Sequence, residues 1–145
     1  MRICGVDLVG NDAVICLLFL DKQQFSLPEC RVRKLTLPKD HSREDLLYFE
    51  ASFAKLMSDY KVEKVAIRER MPKGKFAGSA ISFKLEALIQ LISEIDVEIL
   101  SPSQIKTAQK GSPLPFAFED TVLKVFQKDA FTVAYVSHRL KLMHE

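Results

Sequence analysis

Asp7 and Glu69 are the residues of this chain whose type and position best suit chemistry. Each ends a short hydrophobic segment. The first reads Arg2-Ile-Cys-Gly-Val-Asp7 and runs into a turn at Gly10-Asn-Asp12. The second reads Val62-Glu-Lys-Val-Ala-Ile67-Arg-Glu69 and runs into a basic loop containing glycine. An acid where a buried strand opens into a loop serves packing poorly, but it can hold a divalent cation, because hard ions such as magnesium need oxygen ligands. Neighbouring strands would bring the two acids together.

A third acid joins them from the far end of the chain. Val122, Phe126, Val133 and Val136 step along one face of a final helix, and Asp129 falls on the same stripe. A carboxylate on a core-facing stripe needs a partner. Gln127-Lys128-Asp129-Ala130 also reads as a break between two helices, with Asp129 as a cap. Both readings stay open, and the two acids at the sheet end favour the ligand.

Glu69 has an ordinary alternative as well. Between Arg68 and Arg70 it could be a solvated surface acid of little energetic weight. Strand alternation weighs against that, since Val65, Ile67 and Glu69 share one face while Arg68 and Arg70 point the other way.

The elements that must position these residues follow from the hydrophobic pattern. Residues 2–9, 13–20 and about 25–36 are dense in Val, Ile, Leu, Phe and Cys, with breaks at Gly10-Asn-Asp12 and Asp21-Lys-Gln-Gln24. Connections this short predict an antiparallel meander. Pro28 marks the third run as an edge strand or a bulged one. Ser42 then caps a helix with Asp45 three residues on, and Leu46, Phe49, Phe53, Leu56 and Tyr60 recur at helical spacing. A strand at 62–69, a helix at 78–94, a short strand at 97–100 and a last helical part broken by Pro113 and Pro115 complete the order.

Topology turns this order into geometry. Strand–helix–strand crossovers are right-handed and make parallel strands. The fourth strand therefore adds beside the first and the fifth outside it, giving the order 3-2-1-4-5. Asp7 and Glu69 then sit at the same end of adjacent strands, where open α/β sheets place their ligands.

Composition limits the function classes. The 145 residues suit a single domain, 1–145, with 48% hydrophobic and 28% charged residues, as in soluble folded proteins. A net charge of +2 leaves any nucleic-acid surface to local clusters. Arg68, Arg70, Lys73 and Lys75 form one such cluster beside the acids, suited to phosphate backbones. Arg31, Arg33 and Lys34 form another, read as edge-strand surface charge. Cys4, Cys16 and Cys30 lack metal-ligand spacing and read as reduced thiols of a cytoplasmic protein. The longest apolar run, Ala13 to Leu20, is far too short to span a membrane. His41, His138 and His144 are read as surface or helix-end residues.

The order βββαβαβα, with acids on the first strand, the fourth strand and a late helix, resembles the ribonuclease H-like superfamily. The likeness is to RuvC-type Holliday-junction resolvases. Ile3-Cys-Gly-Val-Asp7-Leu-Val-Gly10 is similar to their first-strand motif, and Val65-Ala-Ile67-Arg-Glu69 to their fourth strand ending in Glu. Lys75, Ser79-Ala80, Ser103-Gln-Ile-Lys106 and Asp129-Ala-Phe-Thr-Val-Ala-Tyr continue it. The chain also resembles a small family of uncharacterised bacterial proteins.

The resemblance implies a ribonuclease H-like α/β fold, a five-stranded mixed sheet flanked by helices. It implies a nuclease or resolvase-like activity on structured nucleic acid, DNA or RNA, branched substrates included. Asp7, Glu69 and Asp129 would hold two Mg2+ or Mn2+ ions, with Asp7 bridging, and so serve as catalytic and metal-binding residues. Arg68, Arg70, Lys73, Lys75 and Ser79 would meet the nucleic acid. A homodimer is implied, with helix 78–94 as the interface. The departures are Phe126 where those enzymes carry a fourth acid, Arg68 just before Glu69, and the two prolines between Gly111 and Phe118. They make a non-catalytic module that binds nucleic acid or a protein the alternative.

Overall fold

A computed structural model describes residues 1–143 except Phe76 and Pro115, so the readings at Pro115 and His144 fall outside the described residues. Strands β1 (Arg2–Val9) and β2 (Asp12–Asp21) pair antiparallel across the Gly10 turn, with Val9 against Asp12. Gly10 takes φ 60°, a left-handed conformation that glycine adopts without strain. Two short strands, β3 (Gln24–Ser26) and β4 (Lys34–Thr36), then both pair with β2. Helix α1 (Arg43–Asp59) leads to β5 (Lys64–Arg68), and α2 (Ala80–Gln90) leads to β6 (Asp96–Leu100). Helix α3 (Pro102–Gly111), two single 3-10 turns and α4 (Lys128–Met143) close the chain.

The sheet order is β3-β2-β1-β5-β6, with β4 also on β2, and β1, β5 and β6 run parallel. This is the ribonuclease H-like arrangement expected, with one correction. The single third strand expected over about 25–36 is two strands of three residues, separated by a stretch that leaves the ladder. Pro28 lies in that stretch and has no N–H to give to a ladder. Ile15 still donates to the Arg33 carbonyl at 2.9 Å, so the stretch returns to β2 before β4 begins.

Alternation along the strands builds two cores. Cys4, Val6, Leu8, Val65 and Ile67 face α1 and α2 and meet Phe49, Phe53, Leu56, Leu85 and Ile89. Ile3, Cys16, Leu18 and Ala66 face the other way and meet Phe131, Val133, Ala134 and Val136 of α4. Each fully buried Phe or Leu contributes about 1.5–3 kcal/mol to the fold. The Ser42–Asp45 capping box expected at the start of α1 is formed in both directions. Helix α2 is shorter than the span 78–94, starting after the Ser79 cap. Much of its apolar surface is taken up by the core, because Leu85 and Ile89 are buried and Ile81 and Leu88 pack on it.

The last helix differs from the expected stripe. Val122 and Phe126 are exposed and precede α4, so they share no face with Val133 and Val136. The break lies at Val125–Gln127, a single 3-10 turn. Gln127 makes that break a fixed point. Its buried side-chain amide donates to the Ile15 carbonyl at 2.9 Å and accepts from the Lys124 N–H at 2.9 Å. His138 is a second correction. It is buried rather than at the surface, with Nε2 2.7 Å from the Leu18 carbonyl. Burial pulls its pKa from 6.5 down to about 4, so it is neutral and donates there. No described helix is long and apolar enough to cross a membrane.

Candidate functional site

Helix α4 reaches the site because β1 carries a glycine beneath it. A Cβ on Gly5 would stand 1.9 Å from the Ala130 carbonyl oxygen and 2.8 Å from the Ala134 Cβ. The helix therefore lies almost on the strand backbone. The Gln127 anchor and this close approach bring Asp129, in the first turn of α4, over the end of β1 where Asp7 stands.

Asp7 is buried, 4% exposed, and its Oδ1 accepts no hydrogen bond among the described residues. The β1–β5 register that sets Val6 against Ile67 brings Asp7 beside Arg68. Nη1 of Arg68 lies 3.6 Å from Asp7 Oδ1 and 3.7 Å from Asp129 Oδ2. One guanidinium nitrogen thus faces both acids. Burial first, and then the Asp129 charge, push the Asp7 carboxyl above its ordinary range, while Arg68 and Arg70 pull it back.

Glu69 does not join them. Register partners on adjacent parallel strands share a face, so Asp7 shares the face of Arg68 and Glu69 turns to the other side. There its charge, second to burial, raises the pKa of Glu86 on α2. Its backbone N–H donates to the Leu100 carbonyl at 2.9 Å. Alternation along 62–69 does set Glu69 and Arg68 on opposite faces, but the register to β1 puts Asp7 on the face of Arg68. The expected convergence of Asp7, Glu69 and Asp129 is corrected to the pair Asp7–Asp129. Among the described residues, no group of three or more Asp, Glu, His or Cys side chains is placed to hold a metal.

The basic residues are less uniform than their spacing suggests. Arg70 is half-buried, and its Nε has no hydrogen-bond partner among the described residues. Gly78 makes room for it, since a Cβ there would meet the Arg70 Cβ at 2.7 Å. Lys73 and Lys75 are exposed on the loop that Gly74 turns at φ 102°. The Ser79 hydroxyl is engaged within the fold. It donates to the Gly10 carbonyl at 2.8 Å and accepts from the Ser82 N–H as the cap of α2. Arg31, in the stretch between β3 and β4, pairs with Asp59 at 2.8 Å, and Lys34 on β4 with Asp12 at 3.6 Å, as surface charge would.

Two cations with no site role expected from the sequence, Lys106 and Lys128, stand here as well. A cleft of about 260 Å³ opens between α3 and α4 beside the acids, lined by Arg68, Lys106, Gln109, Lys128, Asp129 and Thr132 among others. Lys128 adjoins Asp129 in the chain, and Lys106 lies one helical turn into α3. Neither signals a site until α3 and α4 are set side by side. The cleft can take an anion at its cationic rim.

The donor set suits a pair of divalent metals only in part. The buried Oδ1 of Asp7, which accepts no hydrogen bond among the described residues, is an atom such an ion would satisfy. The rest does not fit: one acid is across the sheet, Asp129 is half-exposed, and an arginine already faces both remaining carboxylates.

Comparison with known proteins matches this geometry at the level of the fold. A family model described as "Protein of unknown function (DUF3010)" matches residues 1–137. No curated protein sequence matches. The structure of Thermus thermophilus RuvC superposes with a TM-score of 0.78 at 13% identity, over 99% of this chain and 97% of that one. The fowlpox virus resolvase bound to Holliday junction DNA gives 0.54 at 16% identity, over 98% and 99%. The yeast mitochondrial Holliday junction resolvase gives 0.55 at 12% identity, over 99% and 82%. At such identities the likeness is one of fold.

Proposed function

The chain belongs to the DUF3010 family, and from that premise we propose that it binds nucleic acid through the phosphate backbone at the carboxyl end of its sheet. One observation carries this reading: Arg68, Lys106 and Lys128 gather in one cleft although the whole chain carries a net charge of only +2. Clustered cations beside a groove attract phosphates without reading sequence. Lys73 and Lys75 extend the positive rim from the neighbouring loop. Branched DNA is the substrate class we favour, because similar solved structures include resolvases held with Holliday junctions. Buried, unpaired thiols at Cys4 and Cys16 suit the reducing cytoplasm, where we place the protein.

Hydrolysis with Mg2+ or Mn2+ is the second reading, favoured by the buried Oδ1 of Asp7, which accepts no hydrogen bond among the described residues. It requires Arg68 to leave the acids and Glu69 to come round to their face. A homodimer across α2 is a further proposal, with Leu91 the large apolar side chain most exposed beside it. Light scattering tests it directly.

Fluorescence anisotropy with a labelled four-way junction, a duplex and a single strand tests the main reading, each with magnesium and with a chelator. We expect binding that survives chelation and is tightest for the junction, with no cleavage. Absence of binding to all three at about 100 µM protein and low salt, the weak limit of non-specific contacts, overturns it. Magnesium-dependent cleavage of the junction, lost in Asp7→Asn, moves the conclusion to the second reading.

A further inference from the structure

We propose that Arg68 is the resident cation of this site, occupying with its guanidinium the place between Asp7 and Asp129 that a divalent metal would need. The position is set by the backbone. Val65 and Ile67 are fully buried on one face of β5, and Ala66 on the other, so the strand cannot slip or rotate. Arg68 follows in the row of Ala66, toward α4, and stands beside Asp7 by register.

The chemistry is self-consistent. Asp7 is buried beside a second carboxylate, and that arrangement demands a positive charge. Arginine supplies one that is never lost with pH, from a planar group that can face two acids at once. Its Nη1 lies within 4 Å of both, the separation of an ion pair rather than of a coordination bond. A divalent ion entering the same place would meet the guanidinium as a like charge. Glu69, turned to α2, cannot offset that cost. The site is therefore closed to metal by its own side chain, and removing that side chain should open it.

This inference does not depend on nucleic-acid binding, and its test omits nucleic acid. Manganese is titrated calorimetrically into the wild-type protein, D7N, R68A, R68E and R68E/D7N, with melting temperatures recorded with and without the metal. We expect no saturable binding to the wild type up to about 10 mM. R68E should bind at least tenfold more tightly, which is about 1.4 kcal/mol, and should melt higher with manganese. R68A should show the same trend more weakly, and adding D7N to R68E should remove the gain. Sub-millimolar binding by the wild type that D7N abolishes would overturn the proposal, even if no Arg68 variant folds. Folded R68E and R68A that gain no affinity would overturn it equally.

Discussion

Asp7 and Arg68 stand side by side on adjacent parallel strands, with Arg68 Nη1 3.6 Å from Asp7 Oδ1, and the same nitrogen reaches Asp129. The pair converts a buried acid, which is costly alone, into a locally compensated one. It also sets apart what this site can do from what its fold suggests.

Asp7→Asn should leave the fold intact and make it more stable at neutral pH. The Asp7 pKa is raised in the folded protein above its ordinary value of 3.8, chiefly by burial. A raised carboxyl favours folding while it is protonated, and that benefit is lost as pH rises through its folded pKa. The asparagine variant carries no such loss. Its advantage in urea denaturation should be present at pH 7 and vanish below about pH 3.8. An advantage that persists unchanged in acid would show that Asp7 is not the titrating group.

His138 should make the protein acid-sensitive in a separate window. Its pKa falls from 6.5 to about 4 on burial, so the folded state resists its protonation. Stability is then full above pH 6.5 and declines as pH falls toward 4, by at most about 3 kcal/mol. His138→Gln can still donate to the Leu18 carbonyl and should flatten the decline. Denaturation midpoints between pH 4 and pH 7 check this, and equal slopes for both proteins would refute it.

Gly5→Ala should destabilise the protein by about 3 kcal/mol or more, since overpacking against backbone leaves little room to relax. The new methyl would collide with the Ala130 carbonyl, and α4 would have to lift off β1. Alanine at Gly111, where a Cβ meets nothing, is the control and should cost little. Thermal melts compare the two.

Lys106→Ala with Lys128→Ala should weaken binding to all nucleic acids about equally and reduce the salt slope by roughly two charges. Lys73→Ala with Lys75→Ala should act in the same sense but less, because those side chains lie outside the cleft. Anisotropy titrations from about 50 to 200 mM salt separate the two pairs. If the loop pair carries the larger slope, the interface lies over the loop and not between α3 and α4.

Much of this was legible in the residues themselves. Strand-length runs with period-two alternation, the Ser42–Asp45 box and the connection lengths determined the order of elements, because each is a local preference of the backbone. With the far side of β2 already taken by β3 and β4, the crossover through α1 then added β5 beside β1. The placement of the acids was a different kind of quantity. Side chains alternate every residue, so whether Asp7 shares a face with Arg68 or with Glu69 depends on a register set by distant pairing, Val6 against Ile67. The apolar stripe from Val122 likewise could not show that Gln127 would be held by Ile15, starting α4 at Lys128. Nor could it show that Gly5 would bring that helix down onto β1. Local chemistry decided which elements form, and long-range packing decided which charges meet.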